Sequence, residues 1–158
     1  MNSPRLLARS RTVIDIPAIQ IAIEQAFATR RPAVPSIEDT QFDGMGYKPT
    51  PGVPWVRLHI EFDDVERETM NGREEVGQTT MGAVNLAYFA PINSGWLAPQ
   101  TWMTEALKIF NEARIPVGGS TKSFIVFDSP LSRGVSHEEP WSIYEYTITF
   151  QAYQNPTD

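Results

Sequence analysis

Two histidines are the only imidazoles available for acid–base or metal chemistry in this chain. His59 alternates with Arg57 and Glu61 in a stretch typical of a β-strand, a pattern that favours a surface histidine paired across strands. His137 lies in the sequence SHEEPW, where one imidazole and two carboxylates could bind a metal. A zinc protease helix needs a second histidine in His-Glu-x-x-His spacing, and that histidine is missing here. Neither histidine therefore indicates catalysis.

Other catalytic signatures are also missing from the sequence. The chain has no cysteine, which excludes disulfides, thiolate metal sites and cysteine nucleophiles. No serine lies in a Gly-x-Ser-x-Gly elbow. The stretch VGGSTKS (117–123) lacks the spacing of a phosphate loop and precedes a predicted strand instead of a helix. We therefore expect no enzymatic activity, no cofactor and no metal.

Acidic residues dominate the charge, with 19 Asp and Glu against 13 Lys and Arg, a net charge of −6. Such a chain is a poor general binder of nucleic acid, since affinity for phosphates depends on basic side chains. Residues 1–31 nevertheless carry five arginines, and residues 61–75 carry seven carboxylates. Each run taken alone is typical of a solvated surface. Paired catalytic carboxylates need a rigid site, so the acidic run is not expected to be an active site.

The length of 158 residues predicts one domain spanning the whole chain, with residues 1–11 expected to be flexible. No apolar stretch approaches the roughly 20 residues that a membrane helix needs. The basic N-terminus is not followed by the apolar region of a secretory signal, so a cytoplasmic chain is expected.

Two stretches have the apolar spacing of amphipathic helices. The first predicted helix covers 16–29, with Asp15 as its N-cap and Pro32 just beyond its end. The second runs from about Leu97 to Arg114, and Pro116 stops it. The two stripes are Ile16, Ile19, Ile23, Ala26 and Phe27, and Trp102, Met103, Ala106, Leu107 and Phe110.

Alternating side chains predict the strands. In PWVRLHIEF (54–62), the residues predicted to face the core are Val56, Leu58, Ile60 and Phe62, and those predicted on the polar face are Trp55, Arg57, His59 and Glu61. A charged run with an Asn71-Gly72 turn leads to a return strand at about 79–90, which ends at Pro91. Further strands are predicted at 36–42, 123–128 and 142–153, with 129–141 as a hairpin loop.

The order of elements predicts an α+β fold: an antiparallel or mixed sheet of four to five strands with two helices packed on one face. Residues 63–80 are predicted to form an extended, charged hairpin arm. The last strand, 142–153, is predicted to be a sheet edge that can pair with a neighbouring chain.

Aromatic residues gather at strand starts and on the last strand: Trp55, Trp141, Tyr144 and Tyr146. Packing in the core and at its rim is one explanation. A subunit interface is the alternative, because Tyr and Trp are enriched at interfaces.

The chain resembles the bacteriophage tail terminator (tail completion) proteins in the order of its predicted elements and in the two stretches PWVRLHI and AVNLAYFAPINSG. The similarity covers residues 12–30 and 54–153. It is carried by the helix IPAIQIAIEQAF, the strand PWVRLHIEF, the charged Asn-Gly hairpin, the run GAVNLAYFAPINSG and the closing pair SFIVFD and WSIYEYTITFQAY. The Pro-rich segment 32–54 and the first eleven residues have no counterpart in this pattern.

The resemblance implies a structural virion protein, assembled in the host cytoplasm and located in the tail neck region. Copies of it, as a homohexamer in most of the family, form a ring that caps the head-proximal end of the tail tube and joins the head. The implied partners are further copies of the chain, the tail tube protein and a neck or connector protein, while DNA passes through the lumen without sequence-specific binding. The alternatives are another neck protein (a stopper or an adaptor) or a tail tube subunit.

The acidic arm is the predicted contact region of such a ring. We expect part of it to face the lumen or the tube, with Arg67 and Arg73 forming pairs between subunits; acidic walls would repel the phosphates of passing DNA. The residues predicted at a subunit interface, at the tube or in the lumen are Asp63, Asp64, Glu66, Arg67, Glu68, Arg73, Glu74, Glu75, Trp141 and Tyr144.

Overall fold

The computed structural model describes residues 15–69, 76–120 and 122–155, and for residues 64–69 and 76–78 it describes the backbone alone. The predicted flexibility of residues 1–11 concerns a part of the chain outside these ranges. The elements in chain order are α1 (Ile16–Arg30), a 3-10 turn (Ile37–Asp39), β1 (Thr40–Gln41), β2 (Trp55–Thr69), β3 (Val76–Pro91), α2 (Leu97–Leu107), β4 (Arg114–Pro116), β5 (Phe124–Phe127), β6 (Leu131–Glu138) and β7 (Trp141–Gln154).

The described strands form one mixed sheet in the order β1-β2-β3-β7-β5-β4, and β6 also pairs with β7. β1 is parallel to β2 and every other pair is antiparallel. The α+β class is confirmed, but the predicted four to five strands are too few, because the described part of the chain alone forms a sheet of seven. The prediction missed β4, which has only three residues, and β6, which was assigned to a loop.

Helix α1 matches its sequence prediction closely. Its apolar stripe is buried at Ile19, Ala22, Ile23 and Phe27. Asp15 caps the start, since its Oδ1 accepts a hydrogen bond from the Ala18 amide at 3.0 Å. The helix ends at Arg30, and the extended backbone of Arg31 leads into Pro32.

Helix α2 is shorter than predicted, because it ends at Leu107 and not at Arg114. Turns follow, and Glu112 has a left-handed φ of 51°, which ends the helical path. Arg114 then begins strand β4. The predicted apolar stripe nevertheless holds at Trp102, Met103, Ala106 and Phe110, which are all buried.

Both helices pack on one face of the sheet, as predicted. Their buried side chains belong to one cluster with the inward residues of β2, β3 and β7. Phe27 of α1 links the two helical segments, since its ring lies 6.2 Å from Trp102 and 6.5 Å from Phe110. The predicted core face of β2 is confirmed at Val56, Leu58 and Ile60, which are at most 5% exposed.

Strand β7 is central, so the prediction that it forms a sheet edge is wrong. It pairs with β3 along its whole length, from Trp141–Pro91 to Gln154–Gln78. On its other side, residues 141–147 pair with β6 and residues 150–153 pair with β5. Alternation shows which side chains face the core, but it carries no information about how many neighbours a strand has.

A second, smaller apolar cluster lies on the opposite face of the sheet. Trp55 was predicted on a polar face, yet it is 7% exposed and stacks on Phe89 with ring centroids 3.7 Å apart. Trp141 packs edge-on against Trp55 with ring centroids 6.3 Å apart, and the ring centroid of Tyr47 lies 5.1 Å from that of Trp55. The Pro- and Gly-rich segment before β2 therefore covers this end of the second face and excludes water from it.

Candidate assembly surfaces

The predicted hairpin arm is built from the distal halves of β2 and β3. The two strands pair without interruption from Trp55–Phe89 to Phe62–Gly82, shift register, and pair again from Val65–Thr80 to Thr69–Val76. This register shows that β2 and β3 run antiparallel, as the two strands of a hairpin would. The connection that contains the predicted Asn71-Gly72 turn lies outside the described residues.

The arm's predicted contact residues are described to different extents. Asp63 is exposed. For part of β2 the structure describes the backbone alone, and this part contains Asp64, Glu66, Arg67 and Glu68. Arg73, Glu74 and Glu75 lie outside the described residues. The role of the arm in contacts between subunits therefore stays a prediction.

Trp141 and Tyr144 lie at the other end of the sheet from the hairpin connection. Trp141 is opposite Pro91, the last residue of β3, whereas the arm leads to Val76, its first. At a rise of about 3.3 Å per residue, roughly 50 Å of strand separates these ends. Trp141 packs with the second-face cluster, while Tyr144 packs against the helix-side core. Trp141 and Tyr144 are thus remote from the end of β3 that leads to the predicted arm.

Strand β6 is a surface that the sequence did not reveal. All eight of its residues are exposed, including Leu131 at 62% and Val135 at 49%. β7 pairs with one edge of β6, and no described residue pairs with the other. A strand with no buried face has no alternation, so its only signal was its position just before a long strand. An unpaired edge of this kind is a template for strand pairing with another chain.

A groove lies between α1 and the segment 115–119, beside the short edge strand β4. It has a volume of about 560 Å³, and its lining is mostly small or apolar. On α1 the lining residues include Ala18, Ala22 and Ala26, with Ile21 52% exposed at the lip. Across from them lie Ile115, Pro116, Gly118 and Gly119.

His59 is held by a carboxylate from the loop after β1, in addition to its neighbour on the strand. Its Nδ1 lies 2.6 Å from Asp43 Oδ1, and its Nε2 lies 3.4 Å from Glu61 Oε1. The other Asp43 oxygen accepts hydrogen bonds from the Ile60 amide at 2.9 Å and from Gln20 Nε2 at 3.1 Å. Both oxygens of Asp43 are thus occupied in joining the loop to β2 and α1, which is a structural role.

The second histidine has an equally simple environment. His137 lies on exposed β6, with its Nδ1 3.1 Å from Ser142 Oγ. Within residues 15–69, 76–120 and 122–155, no three His, Asp or Glu side chains are grouped so that they could hold a metal ion. None of the helices described is long and apolar enough to cross a membrane.

Tyr47 provides a prediction about pH. Burial, followed by the hydrogen bond to Asp39 at 3.2 Å and the charge of that carboxylate, raises the pKa of Tyr47 to about 12. Because the pKa of Tyr47 in the folded state lies above the ordinary value of 10, the protonated hydroxyl stabilises the folded state. This stabilisation is complete below pH 10 and is lost as the pH rises toward 12. One component of the ultraviolet tyrosinate signal belongs to Tyr47, and it is the component that the wild type has and Tyr47→Phe lacks. This component should titrate near pH 12. In Asp39→Asn the same component should titrate at lower pH, and an unchanged midpoint would contradict the role of Asp39.

Comparisons with known proteins support the fold and leave the function open. No protein-family model and no curated protein matches the chain. A solved protein structure without a functional name superposes with a TM-score of 0.66. The match covers 91% of this chain and 99% of the other, at 13% sequence identity. At this identity the likeness establishes a shared architecture alone.

Proposed function

We propose that the protein is a structural component of a phage virion, a tail terminator. Copies of the chain form a closed ring, a homohexamer, on the head-proximal end of the tail tube. The ring ends tube polymerisation and offers its other face to the neck of the head. Its location is the neck region of the tail.

The observation that carries this proposal is the exposed strand β6. It leaves, at the side of an otherwise well-packed sheet, a backbone edge with which none of the described residues pairs, and it carries two exposed apolar side chains, Leu131 and Val135. A closed cyclic ring requires head-to-tail interfaces, in which one surface of a subunit meets a different surface of the next. An open strand edge is suited to one half of such an interface because its backbone groups seek partners.

The sequence resemblance connects the chain to phage tails. The stretches that carry it include β2, β3, β5 and β7, together with α1, and the α+β architecture agrees with the fold predicted from the order of these elements. A ring through which DNA passes should not bind it, and a net charge of −6 meets that requirement. Exposed ion pairs contribute only about 0–1 kcal/mol each, so apolar contacts such as those of β6 must supply most of the ring's stability.

The first experiment is the solution mass of the purified protein by light scattering, with negative-stain images of the same sample. We expect closed rings with a central hole and a mass near six copies. If the protein is monomeric alone, it should still bind one end of added tail tubes, as seen by electron microscopy. A monomer that does not bind to tail tubes would contradict the proposal and favour a stopper or adaptor of the neck.

A further inference from the structure

Trp96 and Leu97 form an exposed apolar knob at the start of α2, which the ring proposal does not use. Each side chain is 66% exposed in the single subunit. Two hydrogen bonds of 3.1 Å hold the backbone beneath them, one from the Ser94 amide to the Pro91 carbonyl. The other runs from the Gln100 amide to the Trp96 carbonyl. An exposed tryptophan on a fixed backbone is typical of interface anchors, because it buries a large area with little loss of conformational entropy.

The groove beside β4 is an apolar cavity of matching size. Its volume of about 560 Å³ lies within the roughly 300–1,000 Å³ of pockets that bind compact apolar groups. Gly118 and Gly119 leave one wall without side chains, and Ile21 is 52% exposed at the lip. An indole ring with a neighbouring aliphatic side chain can therefore enter it, and its apolar lining would gain by being removed from water.

The edge strand at this groove is poorly suited to pairing with a strand of a partner. The Val117 amide donates a hydrogen bond to the Ser123 carbonyl, so the backbone groups of residue 117 point toward β5. Those of the alternate residues, Arg114 and Pro116, point outward, and Pro116 has no amide hydrogen to donate. An occupant of the groove is therefore held by its side chains, not by extension of the sheet.

A subunit cannot fill its groove with its own knob, because the two lie at opposite ends of β7. The knob follows the end of β3, which pairs with Trp141. The groove follows β4, which is joined to β7 through β5 at Ala152 and Tyr153. Roughly 40 Å of strand separates these ends, at a rise of about 3.3 Å per residue. A knob can thus reach only the groove of another copy, which is the head-to-tail geometry of a ring.

Opposite charges accompany the two surfaces. Glu138 and Glu139 are exposed near the knob, since the next residue, Pro140, accepts a hydrogen bond of 3.1 Å from the Ile92 amide. The charged residue in the lining of the groove is Arg30. Attraction between these charges would favour and orient the approach of the knob of one copy to the groove of another.

We propose that the knob of one copy inserts into the groove beside β4 of the next copy. This contact rests on the proposed ring and gives it a second surface. Glu138 is the last residue of β6, so the knob lies at the same end of the sheet as the end of β6. The β6 end of one subunit accordingly meets the groove of its neighbour.

Because the chain has no cysteine, introduced thiols can test this contact without background. The test variant carries Ala98→Cys beside the knob and Gln25→Cys at the groove; both positions are exposed. The matched control carries Ala98→Cys and Gly46→Cys; Gly46 lies outside the groove lining, and a Cβ there meets nothing within 4 Å. Both full-length proteins are treated with a short bis-maleimide, in solution and on tail tubes, and followed on denaturing gels. Thermal melting of each variant confirms that it is folded.

We expect the test variant to form a ladder of linked chains at least about tenfold faster than the control. A mixture of the single variants Ala98→Cys and Gln25→Cys should give linked dimers only, and neither single variant should link alone, because the contact joins two different surfaces. Adding Trp96→Ala to the test variant should slow linking at least about tenfold, since it removes the anchor.

The outcomes separate this contact from the ring itself. Rings or capped tubes in which the test variant links no faster than the control would overturn the contact and leave the tail terminator standing. Linking of either single variant alone would also overturn it, by showing that like surfaces meet. Selective links in a protein that neither forms rings nor caps tubes would support the contact and contradict the tail terminator, whereas no links in such a protein would overturn both.

Discussion

Replacing both Leu131 and Val135 by lysine is expected to dissociate the proposed ring into monomers. Both side chains lie on β6 and are exposed in the single subunit, so the change should not disturb its core. Lysine on an edge strand opposes pairing with another strand because its charge would have to lose water in the interface. We expect the apparent association constant to fall at least tenfold, which corresponds to about 1.4 kcal/mol or more. Light scattering over a concentration series measures this directly.

A matched control separates this effect from added charge alone. Val34 and Ile37 are 77% and 51% exposed and lie outside β6, so Val34→Lys with Ile37→Lys adds the same charge to a comparable apolar surface. This control should keep the mass of the wild-type ring. If both double variants assembled normally, β6 would not be the interface. If the wild-type protein assembles only on tail tubes, occupancy of tube ends replaces mass as the readout.

Replacing Gly82 by alanine is expected to destabilise the subunit strongly. Gly82 pairs with Phe62 on one side and Phe150 on the other, and the rings of these two residues meet edge-on with centroids 5.9 Å apart. A Cβ at this position would overlap the carbonyl oxygen of Glu61 and approach Phe150 Cζ to 2.5 Å. Overpacking of a buried site typically lowers the free energy of unfolding by about 1–3 kcal/mol. Because one of the clashes here is with a backbone oxygen, we expect a loss of about 3 kcal/mol. The midpoint of thermal unfolding should fall by about 6–12 °C.

Gly46→Ala is the control for this substitution. A Cβ at Gly46 meets nothing within 4 Å, and the residue does not adopt a positive φ, so its stability should be unchanged or slightly higher. Combining Gly82→Ala with Phe150→Leu should cost less than the sum of the two single changes, because the smaller side chain removes one of the two clashes. A Gly82→Ala protein as stable as the wild type would show that the close packing of Phe150 over the glycine is absent in solution.

The sequence by itself determined the elements that have one buried face. The spacing of Ile19, Ile23 and Phe27 predicted α1 to within one residue of its end, and the alternation of Val56, Leu58 and Ile60 predicted which face of β2 is buried. On β7, the same alternation places Tyr144, Tyr146, Ile148 and Phe150 on the helix-side core. These predictions succeed because burial selects apolar residues at the period of the element, and the period can be read without knowing the partner.

Only the tertiary structure decided which strands are neighbours and which surfaces stay open. Pairing joins backbone groups that every residue carries, so the sequence did not show that β7 is central or that β6 forms an exposed edge. Trp55 was assigned to a polar face because its strand alternates, yet Tyr47 from the preceding loop and Trp141 from a strand distant in sequence pack over it. The groove beside β4 likewise exists only where α1 meets residues 115–119. Surfaces for assembly depend on contacts between remote segments, and these contacts leave no periodic pattern in the chain.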